Sequence, residues 1–376
     1  MRHPQPAVTP PRAASRRREA RTAFFAALLL AACGGGGAGG DSPRDGGDTP
    51  PLTATQLAVL VAEGDSTGEA IAQAYQRARG VPDANVIHVP VDGRSDAISA
   101  ADFANLKATI DARLPAGVQA TLVTWMRPSR VAGSCTMSLT SALALGFDTR
   151  WCANGCAPTA PSPFFDSASH RPYTDQAMRP SMMLGASTLA EAQVLIARGV
   201  AADGLISSGR AIGQAWLVRT SDATRSTRWE DFASLSLSAI PGVVFHYVDN
   251  SAGNGTDLVS NQNDVMFYFT GLPAVAQAAS NHWLPGAAAD HLTSYGGVLP
   301  DGNGQMPATE WLRAGATATY GTVAEPCNYV EKFPRASVLV NRYRRGDTLI
   351  EAYWKSVQSP GQGLFLGEPL ARPWAR

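Results

Sequence analysis

From residue 57 onward, short runs of continuously apolar residues alternate with amphipathic segments of helical period. "LAVLVA" (57–62) offers no polar face, so it reads as a strand buried on both sides. Ser66-Thr67-Gly68-Glu69 then makes a capping-box pattern, and Ile71, Ala74, Tyr75 and Ala78 fall on one helical face. Gly80 and Pro82 stop that helix. The pattern recurs with "NVIHV" (85–89), a helix capped by Ser99 with Phe103, Leu106, Ile110 and Leu114 on one stripe, and "QATLVTW" (119–125). Such alternation predicts an α/β fold: a doubly wound, mostly parallel sheet with helices on both faces.

Residues 127–185 lose this rhythm and hold three cysteines, Cys135, Cys152 and Cys156. They read as an irregular insertion pinned by a disulfide, with Cys135 joined to Cys152 or to Cys156. Cys327 stands apart. From Thr188 the alternation resumes: a helix over "LAEAQVLIARGVA", strands at "QAWLVRT", "GVVFHYV" (242–248) and "DVMFYFTG" (264–271), and a helix near 273–281. A strand at "GAAADHL" (286–292), a helix near 307–314, the strand "ATATYGTV" (316–323) and two closing helices follow, the last opened by Asp347 or Thr348 with Glu351 in capping-box position. The chain thus divides into an N-terminal α/β region over 57–190 and a second α/β region over 191–376.

The first residues carry targeting information. Arg12, Arg16, Arg17, Arg18 and Arg21 precede "AFFAALLLAAC", an apolar run too short to span a membrane, so 1–32 reads as a secretory signal peptide. Leu30-Ala31-Ala32-Cys33 resembles the bacterial lipobox, which makes Cys33 a lipidation site and the membrane a partner through that anchor. A diacylglycerol suffices for stable anchoring, at roughly 0.8 kcal/mol per buried methylene. Gly34 in place of an aspartate favours the outer membrane. Residues 33–56 are a Gly/Pro-rich flexible tether, of which "GGGGAGGDSPRDGGDTPP" has no apolar residue large enough to pack, and the fold begins near Leu57. Lys+Arg and Asp+Glu number 31 each, so no excess positive charge argues for nucleic acid.

In a doubly wound sheet the informative residues follow each strand. Three strand ends stand out: Thr270-Gly271, Asp290 to Ser294, and Glu325-Pro326-Cys327. The order of a Thr-Gly strand end, a small-residue strand ending in "DHLTSYGG", and "LRAGATATYGTV" resembles the caspase-like fold and, within it, gingipain-type cysteine peptidases. "GDTLIEAYWKSV…GLFLGEPLA" resembles that fold's closing segment, with Glu368 at a position that commonly holds aspartate. From Leu57 on, the chain also resembles a group of exported bacterial proteins of unassigned activity that share "DHLTSYGG", "GTVAEPC" and "KFP". The first resemblance implies a peptide-bond hydrolase with a His-Gly pair and a cysteine at successive strand ends. Thr270 stands at the histidine's place and Asp290 to Ser294 at the cysteine's, so the usual dyad is missing. Threonine cannot replace an imidazole as a general base near neutral pH.

Two substitutes for the dyad are chemically open. His291 could activate Cys327 as a thiolate, or activate Ser294 or Thr293 with Asp290 or Glu325 orienting the ring. Adjacent residues of an extended chain point to opposite faces, which makes Asp290 a poor orienter for His291. The plain alternative is a strand-end histidine that satisfies a neighbour, followed by a Gly-Gly turn; the chain would then be a binding module for a peptide, glycan or protein partner. Asp249, Asn254 and Asp257 supply oxygen donors that could hold calcium, without EF-hand spacing. No other cofactor is suggested. His88 and His170 have no partners suggested by spacing, His246 reads as a core residue among the apolar neighbours of "VVFHYV", and Trp283, Trp311 and Trp354 lie in helical segments and read as core or interface residues.

Overall fold

The computed structural model describes residues 49–375; the stretch read as a signal peptide, Cys33 and the stretch read as a tether as far as residue 48 lie outside them. Among the described residues, thirteen strands and nine α-helices run in the order β1 (Leu57–Ala62), α1 (Ser66–Arg79), β2 (Val86–Val89), β3 (Ala97–Ser99), α2 (Ala100–Arg113), β4 (Ala120–Val123), β5 (Arg130–Ala132), β6 (Thr136–Ser138), α3 (Leu139–Leu145), α4 (Pro172–Gln176), β7 (Ser181–Met183), α5 (Leu189–Ala202), β8 (Gly213–Arg219), α6 (Trp229–Ser236), β9 (Val243–Asp249), β10 (Val265–Thr270), β11 (Trp283–His291), α7 (Thr309–Ala314), β12 (Ala318–Thr322), α8 (Ala336–Arg344), α9 (Leu349–Ser356) and β13 (Gly363–Gly367). Among the described residues, no helix is long and apolar enough to cross a membrane.

Ten of these strands form one sheet in the order β2-β1-β4-β7-β13-β12-β11-β10-β8-β9. Its neighbours pair in parallel except β12 and β13, which are antiparallel. The consequence is two parallel blocks of opposite direction that meet at β13. The carboxyl ends of β1, β4 and β7 therefore lie at one end of the sheet, and those of β8, β10, β11 and β12 at the other. Both blocks are α/β, doubly wound and mostly parallel, as the alternation predicts. Tyr268 and Phe267 are consecutive on β10 and so face opposite sides. Trp311 of α7 packs edge-on against Tyr268, centroids 5.1 Å apart, while Tyr343 of α8 packs edge-on against Phe267 at 6.4 Å.

Several local features depart from the sequence reading. Asp65, one residue before the expected box, caps α1 by accepting the Thr67 N–H at 3.0 Å. The helix near 273–281 shrinks to a single 3-10 turn, Ala278–Ser280, because Gln277 sits at φ +63, outside the right-handed helical region. Trp283 consequently opens β11 instead of lying in a helix. Packing starts before Leu57: Leu52 is buried and its N–H points at the Glu351 carboxylate, 3.3 Å away. Glu351 also closes the capping box of α9 with Thr348 and takes a 2.6 Å contact from His170, which is thus not without a partner. His88 likewise meets Glu69 at 2.7 Å.

The insertion is less irregular than its sequence. It forms β5 and β6, which join β3 in a small sheet, and α3, whose Ser141 hydroxyl donates to carbonyls at Pro360 and Gly363. Two disulfides hold it, Cys135–Cys152 and Cys156–Cys327. Cys327 therefore does not stand apart; it ties the insertion to the segment after β12.

The closing segment earns its glutamate. Glu368 is fully buried at the end of β13, where it accepts from the Tyr75 hydroxyl at 2.8 Å and from the Arg79 guanidinium at 2.9 and 2.7 Å. Its longer side chain spans to α1, and only a glycine at 199 on α5 leaves room, since a Cβ there would collide with that carboxylate.

Candidate functional site

The site residues read from the sequence gather at the carboxyl ends of β10 and β11. In the parallel register Thr270 pairs with His291 and Phe269 with Asp290, so Thr270 and His291 share one face and Asp290 lies on the other. All three are at most 1% exposed. A carboxylate and an imidazole so deeply placed must each find a partner, or their desolvation opposes folding.

Asp290 finds Arg228, which the sequence reading did not single out. The guanidinium Nη1 lies 2.6 Å from Asp290 Oδ1, with both side chains at most 3% exposed. Arg228 also donates to the Thr270 carbonyl at 2.7 Å and to the Pro334 carbonyl at 3.1 Å, which fixes it beneath the strand ends. Burial pushes the Asp290 carboxyl up, and the Arg228 charge pulls it back in part. Nearby, the Tyr353 hydroxyl reaches the Ala289 and Ala318 carbonyls at 3.3 and 3.2 Å, where the β11–β12 pairing is reduced to Ala288 with Ala318.

His291 points to the other face and accepts a hydrogen bond from the Trp311 indole at 2.9 Å through Nδ1. An indole N–H can only donate, so Nδ1 must be the unprotonated nitrogen, and the neutral ring carries its proton on Nε2. That nitrogen has no hydrogen-bond partner of good geometry among the described residues. Burial pushes the imidazole pKa down to about 3, with the Arg228 and Arg225 charges adding to the effect and the Met306 backbone opposing it. The lone pair that a general base needs is occupied, and the ring stays neutral throughout the physiological range.

The proposed partners of His291 are elsewhere. Ser294 is half-buried, and no hydrogen bond joins it to His291; its carbonyl and that of Thr293 both accept from the Thr322 hydroxyl, at 2.9 and 3.0 Å. The Thr293 hydroxyl donates to Gln305 at 2.7 Å. Cys327 has no free thiol, being bonded to Cys156, and Glu325 accepts the Cys327 N–H at 2.8 Å as a turn carboxylate. Gly297 answers to packing: a side chain there or at 321 would strike the facing backbone, so the turn lies flat against β12. Asp290 and His291 are thus not partners, as the alternation of an extended chain requires.

The loop proposed for calcium is closed on itself. The Asp257 carboxylate accepts from the Ser221 N–H, the Ser221 hydroxyl and the Asn250 amide at 2.6–2.7 Å, and Asp249 contacts Arg219 at 3.1 Å. Asn254 makes no side-chain bond to them. Among the described residues no group of three or more His, Cys, Asp or Glu is placed to hold a metal.

No family model matches this chain, and no curated protein matches it. A solved structure described as that of a protease is similar to it, with a TM-score of 0.47 and 11% identity, over 86% of this chain and 80% of that one.

Two partners in this region, Arg228 and Trp311, were missed because they are distant in sequence. A buried aspartate demands a cation, and no local pattern names the arginine that meets it.

Proposed function

We propose that this chain is an exported, lipid-anchored α/β module of caspase-like architecture that binds a ligand or partner without cleaving it. The observation that carries the reading is the Trp311-to-His291 hydrogen bond, which occupies the nitrogen a hydrolase would need as its base. The disulfide at Cys327 supports it further, because a bonded sulfur is not a nucleophile. Hydrolysis by His291 with Cys327 or Ser294 is the competing reading, and it requires His291 to part from Trp311 and, for the cysteine, Cys327 to part from Cys156.

Covalent probes separate the two. Native, unreduced full chain incubated with a fluorophosphonate or an acyloxymethyl ketone is expected to remain unlabelled, and His291→Ala to behave identically. Labelling at Ser294 or Cys327 that disappears in His291→Ala would establish the hydrolase instead.

Anchoring rests on Leu30-Ala31-Ala32-Cys33 at the end of the apolar run. Cells fed an alkynyl fatty acid are expected to label the wild-type chain, and Cys33→Ser to abolish that label and release the protein from the membrane fraction. Equal labelling of both would remove the anchor from the account.

A further inference from the structure

We propose that the groove between α5 and α7 binds a fatty carboxylate, its acyl chain on the apolar lining and its carboxylate on Arg198. This names a ligand for the binding reading above and rests on it, although neither His291 nor Trp311 lines the groove. A cavity of about 320 Å³ lies there, bounded by Ala190, Val194 and Leu195 of α5 and by Leu312 of α7, at the lower end of the range of small-molecule sites. The apolar lining comes from α5. Ala192, Leu195, Ile196 and Gly199 bury its inner face, yet apolar residues continue round to the outer one. Ala190, Val194 and Arg198 follow one another at four-residue steps and so form one stripe, on which Val194 is 60% exposed. A helix that is apolar beyond its packed face has surface left to cover.

Arg198 decides what covers it. Its Nη1 donates to the Leu312 carbonyl at 3.1 Å and to the Ala316 carbonyl, which holds the guanidinium at the groove. Nε and Nη2 make no hydrogen bond among the described residues, yet they are not sealed from solvent. No acid answers the charge: burial draws the Arg198 pKa down, and no carboxylate among the described residues raises it again. The other charges of the lining are matched. Glu191 accepts from the Ser187 N–H and hydroxyl, both at 2.8 Å, and from Arg313 at 3.3 Å, while Arg313 also meets Glu310 at 2.5 Å. One cation with an open Nε–Nη2 fork fits one carboxylate in a two-bond grip, and it balances a phosphate monoester, at close to two charges, less well. The rest of the lining is aliphatic. A peptide would bring amide groups that such side chains leave unpaired, whereas an acyl chain needs only apolar contact.

The test is a calorimetric titration of the full chain with decanoate below its micellar concentration, beside decanol, decylamine, decyl phosphate and N-acetyl-leucyl-leucine. Decanoate is expected to saturate a single site, and Arg198→Met to weaken it at least tenfold, to the level of decanol. Val194→Glu should weaken decanoate as much by setting a like charge at the mouth, and so exposed a position tolerates the change. Methionine keeps the arginine stem but not its bonds to Leu312 and Ala316, so circular dichroism and the thermal midpoint check that variant. If it unfolds, Val194→Glu decides. No saturable binding of decanoate, affinity indifferent to either folded variant, or equal affinity for any of the four comparison compounds would overturn the proposal. A chain that the covalent probes leave unlabelled and that binds no decanoate loses only this ligand, whereas labelling at Ser294 or Cys327 would overturn the binding reading itself.

Discussion

Arg228→Met is expected to destabilise the chain by about 3–5 kcal/mol, the usual consequence of removing one partner of a buried ion pair. The variant leaves Asp290, 1% exposed, without its countercharge, and it strips the carbonyls of Thr270 and Pro334 of their donor. Asp290 already holds its proton more tightly than an exposed aspartate because it is buried, and Arg228 is what restrains that rise. Without the arginine the folded-state pKa climbs further above the unfolded value. An acid whose folded pKa is raised favours the folded state when protonated, and that advantage is lost as pH rises through the folded pKa. The gap between variant and wild type should therefore be widest near neutrality and narrow on acidification. Urea midpoints between pH 5 and 8 measure it. Combining Arg228→Met with Asp290→Leu should regain most of the loss, because apolar side chains can replace a buried ion pair at little cost. A loss below about 1 kcal/mol for Arg228→Met alone would mean that the pair is not what holds the strand ends.

The second large effect comes from the disulfides. Cys156 and Cys327 are 171 residues apart in sequence, whereas Cys135 and Cys152 are 17 apart. Closing the longer loop restricts the unfolded chain more, and the chain-entropy model gives roughly 5 kcal/mol for the first bridge and roughly 3 kcal/mol for the second. Cys156→Ser with Cys327→Ser should accordingly cost more than Cys135→Ser with Cys152→Ser, in guanidinium melts under non-reducing conditions. The reverse order would show that the shorter bridge holds native structure beyond its entropic effect. Loss of the long bridge should also free the Cys327 segment from the insertion, which limited proteolysis after residue 322 would report.

Local signals in the sequence carried well to the structure, and non-local ones did not. The strands β1 and β4 and the helices α1 and α2 are bounded within a residue or two of their periodicity, and the Ser99 cap and the Thr348–Glu351 box form as written. Each rests on neighbours within four residues. Strand β13 escaped notice because "GLFLG" is five residues with no alternation, and it is fixed instead by antiparallel pairing with β12. That strand reverses the direction of half the sheet, so strand ends that seem equivalent in sequence lie at opposite ends of the molecule. The same limit explains the site. "DHLTSYGG" correctly marked a strand end with Asp290 and His291 on opposite faces. Their partners come from before β10, in the case of Arg228, and from α7, in the case of Trp311, and neither lies within reach of a local pattern. Cys327 was misjudged for the same reason, its partner Cys156 being far upstream.

The central claim is that His291 is a neutral, sealed residue whose Nδ1 is already in use. Nitrogen-15 NMR of the full chain with labelled histidine tests it directly, since imidazole shifts report both tautomer and charge. With a folded pKa of about 3, His291 should keep the shifts of a neutral ring protonated on Nε2 from pH 9 down to 5, and Trp311→Phe should broaden or shift that signal. A His291 ring that titrates between pH 5 and 9, or that carries its proton on Nδ1, would contradict the account and return the histidine to the list of candidate bases.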